Sequence, residues 1–136
     1  MNIINSTDVR KEFNLVIDKA IQEKPQFFKR TRDLLILMDV NFLEILLSAY
    51  KFTAETIVED DGSITLSLNE IDLIENAETK DKAKLKLAKA MLEYSEDYYC
   101  EFKYWSSSSN RKTHISHVIK ILTFNDINKI AKLIEC

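Results

Sequence analysis

One glycine and one proline are all that the 136 residues contain, well below ordinary usage. That scarcity argues against sandwiches and barrels built on many tight turns, and it leaves no glycine-rich phosphate loop. Cysteine is equally sparse. Cys100 and Cys136 make no disulfide framework. The longest apolar runs, such as Leu34–Met38, are far too short to span a membrane. Residues 1–30 lack the basic-then-apolar pattern of a secretory leader. These absences leave a cytoplasmic protein as the expectation, with no membrane partner.

What is present suffices for a core: 46% of residues are hydrophobic, 10% aromatic and 30% charged. The length accommodates one domain or two very small ones. The net charge of −3 conceals a segregation. Residues 56–78 hold seven acids (Glu59, Asp60, Asp61, Glu70, Asp72, Glu75, Glu78) and no lysine or arginine, whereas residues 106–136 hold five bases against two acids. Local fields decide what a surface attracts, so this distribution matters more than the sum.

Asn2-Ile3-Ile4-Asn5 reads as a short strand, and Ser6 or Thr7 as the cap of a helix with Asp8 in its first turn. Val9, Phe13, Val16, Ile17, Ala20 and Ile21 recur at helical spacing up to Lys24, and Pro25 ends the run. Gln26–Lys29 and Leu34–Met38 read as strands joined by Arg30-Thr31-Arg32-Asp33. The second is continuously apolar, as a strand buried on both faces would be. A helix over Asn41–Tyr50 would turn Phe42, Ile45, Leu46 and Ala49 inward.

Further on, Phe52–Val58 and Ile64–Leu68 alternate as strands across Asp60-Asp61-Gly62, with Ile71–Ile74 a third. Thr79 caps a long helix over Lys80–Phe102. Its stripe is Ala83, Leu87, Met91, Tyr94 and Tyr98, widened by Ala88, Leu92, Tyr99 and Phe102. Ser106–Ser109 reads as a loop. Two short helices follow: one buries Ile115, Val118, Ile119 and Leu122, the other, capped by Asn125, buries Ile127, Ile130, Ala131 and Ile134. The predicted fold is therefore α+β: a β-α-β-β-α module, a β-hairpin or small sheet, one long helix and two short C-terminal helices.

The order Ile3-Ile4-Asn5-Ser6-Thr7-Asp8-Val9-Arg10-Lys11-Glu12-Phe13, Val16-Ile17, Pro25-Gln26-Phe27-Phe28-Lys29-Arg30 and Leu34–Asp39 resembles the Phd/YefM family of antitoxins. The resemblance implies a DNA-binding and dimerisation module over residues 1–53, which as a homodimer would bind palindromic operator DNA and repress its own operon. Arg10 stands at the early-helix arginine of that pattern and Arg30 at the hairpin arginine. Lys11, Lys29 and Arg32 complete a basic cluster. Arginine suits this role, because its planar fork matches phosphate and guanine edges. The alternative is that these are ordinary solvated charges, balanced by eight acids within residues 1–55.

Glu59-Asp60-Asp61-Gly62-Ser63-Ile64-Thr65-Leu66-Ser67-Leu68, followed by Glu78-Thr79 opening a helix with Ala83, is similar to the small HicB-like domain. That likeness implies a partial ribonuclease-H-like sheet against one helix, over residues 54–136, that blocks a ribonuclease toxin. The expected toxin contacts are Glu59, Asp60 and Asp61, which would attract a basic active-site face, together with the aromatic residues Tyr98, Tyr99 and Trp105. The same acids would equally serve as a solvated sheet face, and the aromatic residues as core.

His114 and His117 fit no standard Cys/His zinc spacing with Cys100 and Cys136, and both fall outside the apolar face, pointing to solvent. No carboxylate pairing or HExxH suggests hydrolysis. No metal, cofactor or catalytic residue is therefore expected. The last two helices could form a helix-turn-helix, but capping of the core accounts better for their apolar faces. The expected function is a non-enzymatic antitoxin and autorepressor, with a cognate toxin and operator DNA as partners. The alternative is a protein-interaction module that retains the scaffold without binding DNA.

Overall fold

A computed structural model describes Met1 and Ile3–Cys136; Asn2, in the first expected strand, lies outside the described residues. The chain forms two compact units, Met1–Leu46 and Leu47–Cys136, dividing ahead of the 53/54 boundary read from the sequence. The architecture is α+β, as expected.

The first unit runs β1 (Ile4–Asn5), α1 (Ser6–Lys11), α2 (Phe13–Gln22), β2 (Gln26–Arg30), β3 (Asp33–Leu37) and α3 (Val40–Leu46). Its sheet has the order β1-β2-β3. β1 lies parallel to β2 with Ile4 opposite Phe28, and β3 is antiparallel with Arg30 opposite Asp33. Parallel pairing of β1 and β2 requires a crossover, which the two helices supply. The core is small: Val9, Val16 and Ala20 are buried, and Gln26 is satisfied by donating to the Lys24 carbonyl.

Several expectations for this unit are corrected. The single helix to Lys24 is broken at Glu12, whose φ of −120° and ψ of 36° interrupt the turn. The break resets the helical phase, so Val16 and Ala20 face inward while Phe13 and Ile21 are exposed. Asn5, not Ser6 or Thr7, occupies the N-cap position, without a side-chain bond. The apolar strand β3 is the sheet edge, and Leu34, Leu35 and Ile36 are exposed; a continuous apolar run does not distinguish a central strand from an edge awaiting cover. The third helix ends at Leu46, and Phe42, Ile45 and Leu46 are exposed rather than inward.

The second unit runs β4 (Phe52–Val58), β5 (Ile64–Leu68), β6 (Ile74–Ala77), α4 (Lys80–Cys100), α5 (Phe102–Ser107), a 3-10 turn (Lys112–His114), α6 (Ile115–Phe124), α7 (Ile127–Leu133) and β7 (Ile134–Glu135). The sheet order is β6-β5-β4-β7, antiparallel except for the pairing of β7 with β4. Strand alternation places Phe52, Ala54, Leu66 and Leu68 on the buried face. There they meet Ala83, Leu87, Ala88 and Met91 of α4, and Ile121, Ile130, Ala131 and Ile134 close the cluster. The opposite face is a polar ladder, in which Asn76 donates to Ser63 and Thr65, and Thr65 to Glu59. Gly62, at φ 85°, makes the β4–β5 turn, where the absence of a Cβ removes the strain of a left-handed backbone.

Here too the tertiary structure moves details. The third strand begins at Ile74, because Ile71 turns into the core. Ser106 and Ser107 belong to α5, where the Ser107 hydroxyl donates to the Lys103 carbonyl. Tyr99 is exposed, and His114 is 7% exposed rather than solvated. Asn125 is the left-handed C-cap of α6, while Asp126 caps α7 by accepting from the Lys129 amide. Ile134 leaves the last helix to enter β7. α6 and α7 both pack along α4, closing its core.

Candidate functional site

Arg10 of α1 and Arg30 of β2 are twenty positions apart in sequence, yet they line one groove of about 670 Å³. The walls are Ser6, Val9, Phe13, Phe28, Asp33 and Leu35. The reason is local. β1 delivers the start of α1 beside β2, and pleat alternation puts Phe28 and Arg30 on the same side. Lys29 therefore projects from the other face of β2, and Arg32 sits in the turn. All five basic residues, Arg10, Lys11, Lys29, Arg30 and Arg32, are exposed. Among the described residues none of their side chains is engaged in a hydrogen bond or salt bridge; the salt bridge found is Lys82–Glu78, at 3.1 Å. Unpaired guanidinium groups keep all their donors available for an incoming anion.

The turn between these strands is strained. Thr31 takes φ 57°, a conformation that disfavours a β-branched residue. It lets the two-residue loop close with Arg30 opposite Asp33.

In the second unit, Glu59, Asp60 and Asp61 are exposed at the β4–β5 tip. The hydroxyl and amide of Ser63 both donate to the Asp61 carboxylate and hold its pKa below the usual value. Tyr99 and Trp105 are elsewhere. Ala77 of β6 lies opposite Ile64 near that tip, and α4 begins three residues later. Its far end, carrying Tyr99, is thus roughly 30 Å away along a helix of this length. The acids and the aromatic residues are two patches, not one. Tyr98 is corrected from surface contact to core: it is 2% exposed, and its hydroxyl donates to the Arg111 carbonyl.

Residues missed by the sequence reading gather at that far end. Arg111 lies over the rings of Tyr94 and Trp105, at 5.5 and 5.7 Å from their centroids. With Asp97 and Tyr98 these residues enclose a pocket of about 230 Å³. The Tyr94 hydroxyl in turn meets His114, whose pKa burial pushes down, with the Arg111 charge adding to the effect. Burial also raises the Tyr98 hydroxyl pKa. Tyr94 and Tyr98 at i, i+4 signal a shared helix face, but nothing in the sequence points to Arg111 as their partner. Lys120 is a second surprise: it is buried, donates to the Tyr50 carbonyl at 2.6 Å, and has its pKa lowered chiefly by desolvation.

Among the described residues no cluster of three His, Cys, Asp or Glu side chains could hold a metal ion, and no helix is long and apolar enough to cross a membrane.

The whole chain, residues 1–136, matches the PHD_like family, described as antitoxin of toxin-antitoxin, RelE / RelB, TA system. No curated protein matches it. A 1.80 Å crystal structure of an antitoxin part of a proposed toxin/antitoxin system from Syntrophomonas wolfei subsp. wolfei superposes with a TM-score of 0.91. The two share 33% sequence identity, and the match covers 99% of this chain and 97% of that one.

Proposed function

This chain belongs to the PHD_like family of antitoxins of toxin–antitoxin systems, and from that premise we infer that it acts as a dimer, neutralising a cognate ribonuclease toxin and repressing its own operon. The first unit is the Phd/YefM-like operator-binding module, with Arg10 and Arg30 as its principal contacts and Lys11, Lys29 and Arg32 supplying further charge. The second unit, with HicB-like features, holds the toxin through Glu59, Asp60 and Asp61, assisted by Tyr99 and Trp105. The reaction class is binding; no catalytic step is assigned to the chain.

The observation that carries this reading is the groove that gathers Arg10 and Arg30, both exposed and neither in a salt bridge among the described residues, with Asp33 the one acid on its wall. Phosphate neutralisation by such groups makes affinity fall steeply with salt. A second observation supports the dimer. Leu34, Ile36, Val40, Phe42 and Leu46 of β3 and α3 are all exposed, and Leu34 and Ile36 alternate to the face of β3 away from the groove that Leu35 lines. A two-fold copy would cover it and duplicate the arginines on a palindrome.

The test is fluorescence anisotropy of the full chain against DNA from upstream of its own gene, at two salt concentrations, with scrambled DNA as control. Sequence-preferring binding that weakens with salt and collapses in Arg10→Ala is expected. Equal affinity for scrambled DNA, by the chain alone and by its complex with the product of the adjacent reading frame, overturns the repressor role. Rescue of growth by co-expressing the chain with that product tests neutralisation.

A further inference from the structure

The sheet of the second unit has two long sides, and they are treated differently. β6 forms one side. Its ladder with β5 turns the backbone groups of Ile74 and Asn76 outward, and the Lys86 ammonium donates to the Asn76 carbonyl at 3.1 Å. A lysine on an edge carbonyl is a standard way to stop another strand from pairing there.

β4 forms the other side and has no such guard over half its length. β7 pairs with Phe52 and Thr53 only. The Glu59 amide donates to the Ser63 carbonyl and the Asn69 amide to the Thr53 carbonyl, so odd-numbered residues of β4 bond inward to β5. By alternation, Thr56 and Val58 turn their N–H and C=O groups to the open side. Glu55, Thr56, Ile57 and Val58 are all exposed, Val58 at 69%, although Phe52 and Ala54 on the same strand are buried. The charges on the open half of the strand and its turn, from Glu55 to Asp61, are acidic, while Lys51 and Lys120 stand at the other, Phe52 end. Glu55 and Glu59 alternate along the exposed face of β4, Glu59 also accepting from Thr65, and Asp60 and Asp61 lie in the turn at its end, while Lys86 attends the opposite edge.

We propose that the bare edge of β4, from Ala54 to Val58, takes up an extended basic segment of a partner protein as an added strand. The outward groups of Thr56 and Val58 supply backbone hydrogen bonds, Ile57 and Val58 apolar contact, and the flanking acids select alternating lysine or arginine. This deepens the reading of the second unit as the toxin-binding unit and rests on it for the partner's identity, though not for the chemistry of the edge.

The test exploits the outward amides. A proline at Thr56 or Val58 removes a donor from the open side and none from the β4–β5 ladder, so the fold tolerates it. The probes are a short synthetic peptide alternating lysine with valine, its glutamate counterpart, and the product of the adjacent reading frame. The full chain should bind the lysine peptide and not the glutamate one, and Thr56→Pro and Val58→Pro should each weaken that binding about tenfold or more. If either variant misfolds, amide exchange on the unaltered chain decides. The Thr56 and Val58 amides should be unprotected alone and protected with peptide, against protection of Glu55 and Ile57 throughout. No peptide binding, or binding that leaves Thr56 and Val58 unprotected, overturns the proposal. Tight binding of the adjacent gene's product that ignores both prolines also overturns the edge as the toxin's site. Proline-sensitive peptide binding with no binding of that product sustains the edge and sinks the toxin reading instead.

Discussion

The Tyr94 hydroxyl lies 2.6 Å from Nδ1 of His114, and Arg111 donates to the same hydroxyl at 2.9 Å. With a lone pair already occupied by the guanidinium, the hydroxyl has its own proton free for Nδ1. That arrangement suits a neutral imidazole. Burial and then the Arg111 charge depress the His114 pKa, with Asp72 opposing and His117 adding.

The sign of the pH effect follows. In the unfolded chain His114 titrates near the ordinary imidazole value of about 6.5, and in the folded chain lower. As pH falls below about 6.5 the unfolded state takes up the proton first, so stability drops, levelling off only when the folded state also protonates. Urea midpoints measured between pH 7.5 and 5.5 should fall, and His114→Gln should flatten the slope. An unchanged slope in that variant would assign the pH dependence to other groups.

Thr31 holds a left-handed backbone in the β2–β3 turn, at a cost of order 1–2 kcal/mol for an L side chain. Thr31→Gly relieves it but adds glycine's unfolded-state entropy. A net gain of about 1 kcal/mol in urea unfolding is expected. A loss would mean that the threonine side chain contributes more than its backbone costs.

Arg30 shares the groove with Arg10, whereas Lys29 projects from the opposite face of β2. Arg30→Ala should therefore weaken operator binding by roughly 1–3 kcal/mol and lower the salt slope by about one. Lys29→Ala should cost less. Both side chains are exposed, so melting temperatures should not move. A reversed order of the two variants in anisotropy would contradict the groove as the contact surface.

Ile36 sits exposed on the edge strand β3. If a second copy covers that surface, Ile36→Lys buries an unpaired charge and should weaken dimerisation by about a hundredfold or more. Sedimentation velocity at micromolar concentration should show monomer, with an unchanged circular dichroism spectrum. A wild-type chain that is itself monomeric there would remove the dimer from the proposed function.

Three elements of the second unit, β4, β5 and α4, were legible because the strands obey a two-residue period and α4 a helical one, whereas β6, α5 and β7 were displaced or missed. Phe52–Val58, Ile64–Leu68 and the Thr79 cap fall where the pattern puts them, and Thr79 accepts from the Lys82 amide. The first unit was harder to read. Its apolar residues outnumber what one small core can hold, so β3 and α3 read as interior when they are surface. The Glu12 break was invisible, since no proline or glycine marks it.

By itself the sequence determined the α+β class, the positions of β2 to β5 and of the long helix α4, and that acids cluster in residues 56–78. Those are properties of neighbouring residues, and periodicity and composition record them. Only the tertiary structure decided that the two arginines share a groove, that His114 is inside, that Arg111 stacks on Tyr94 and Trp105, and that β4 is left half bare. Each of these depends on which distant segments meet, and strand order and helix packing set that, not local preference.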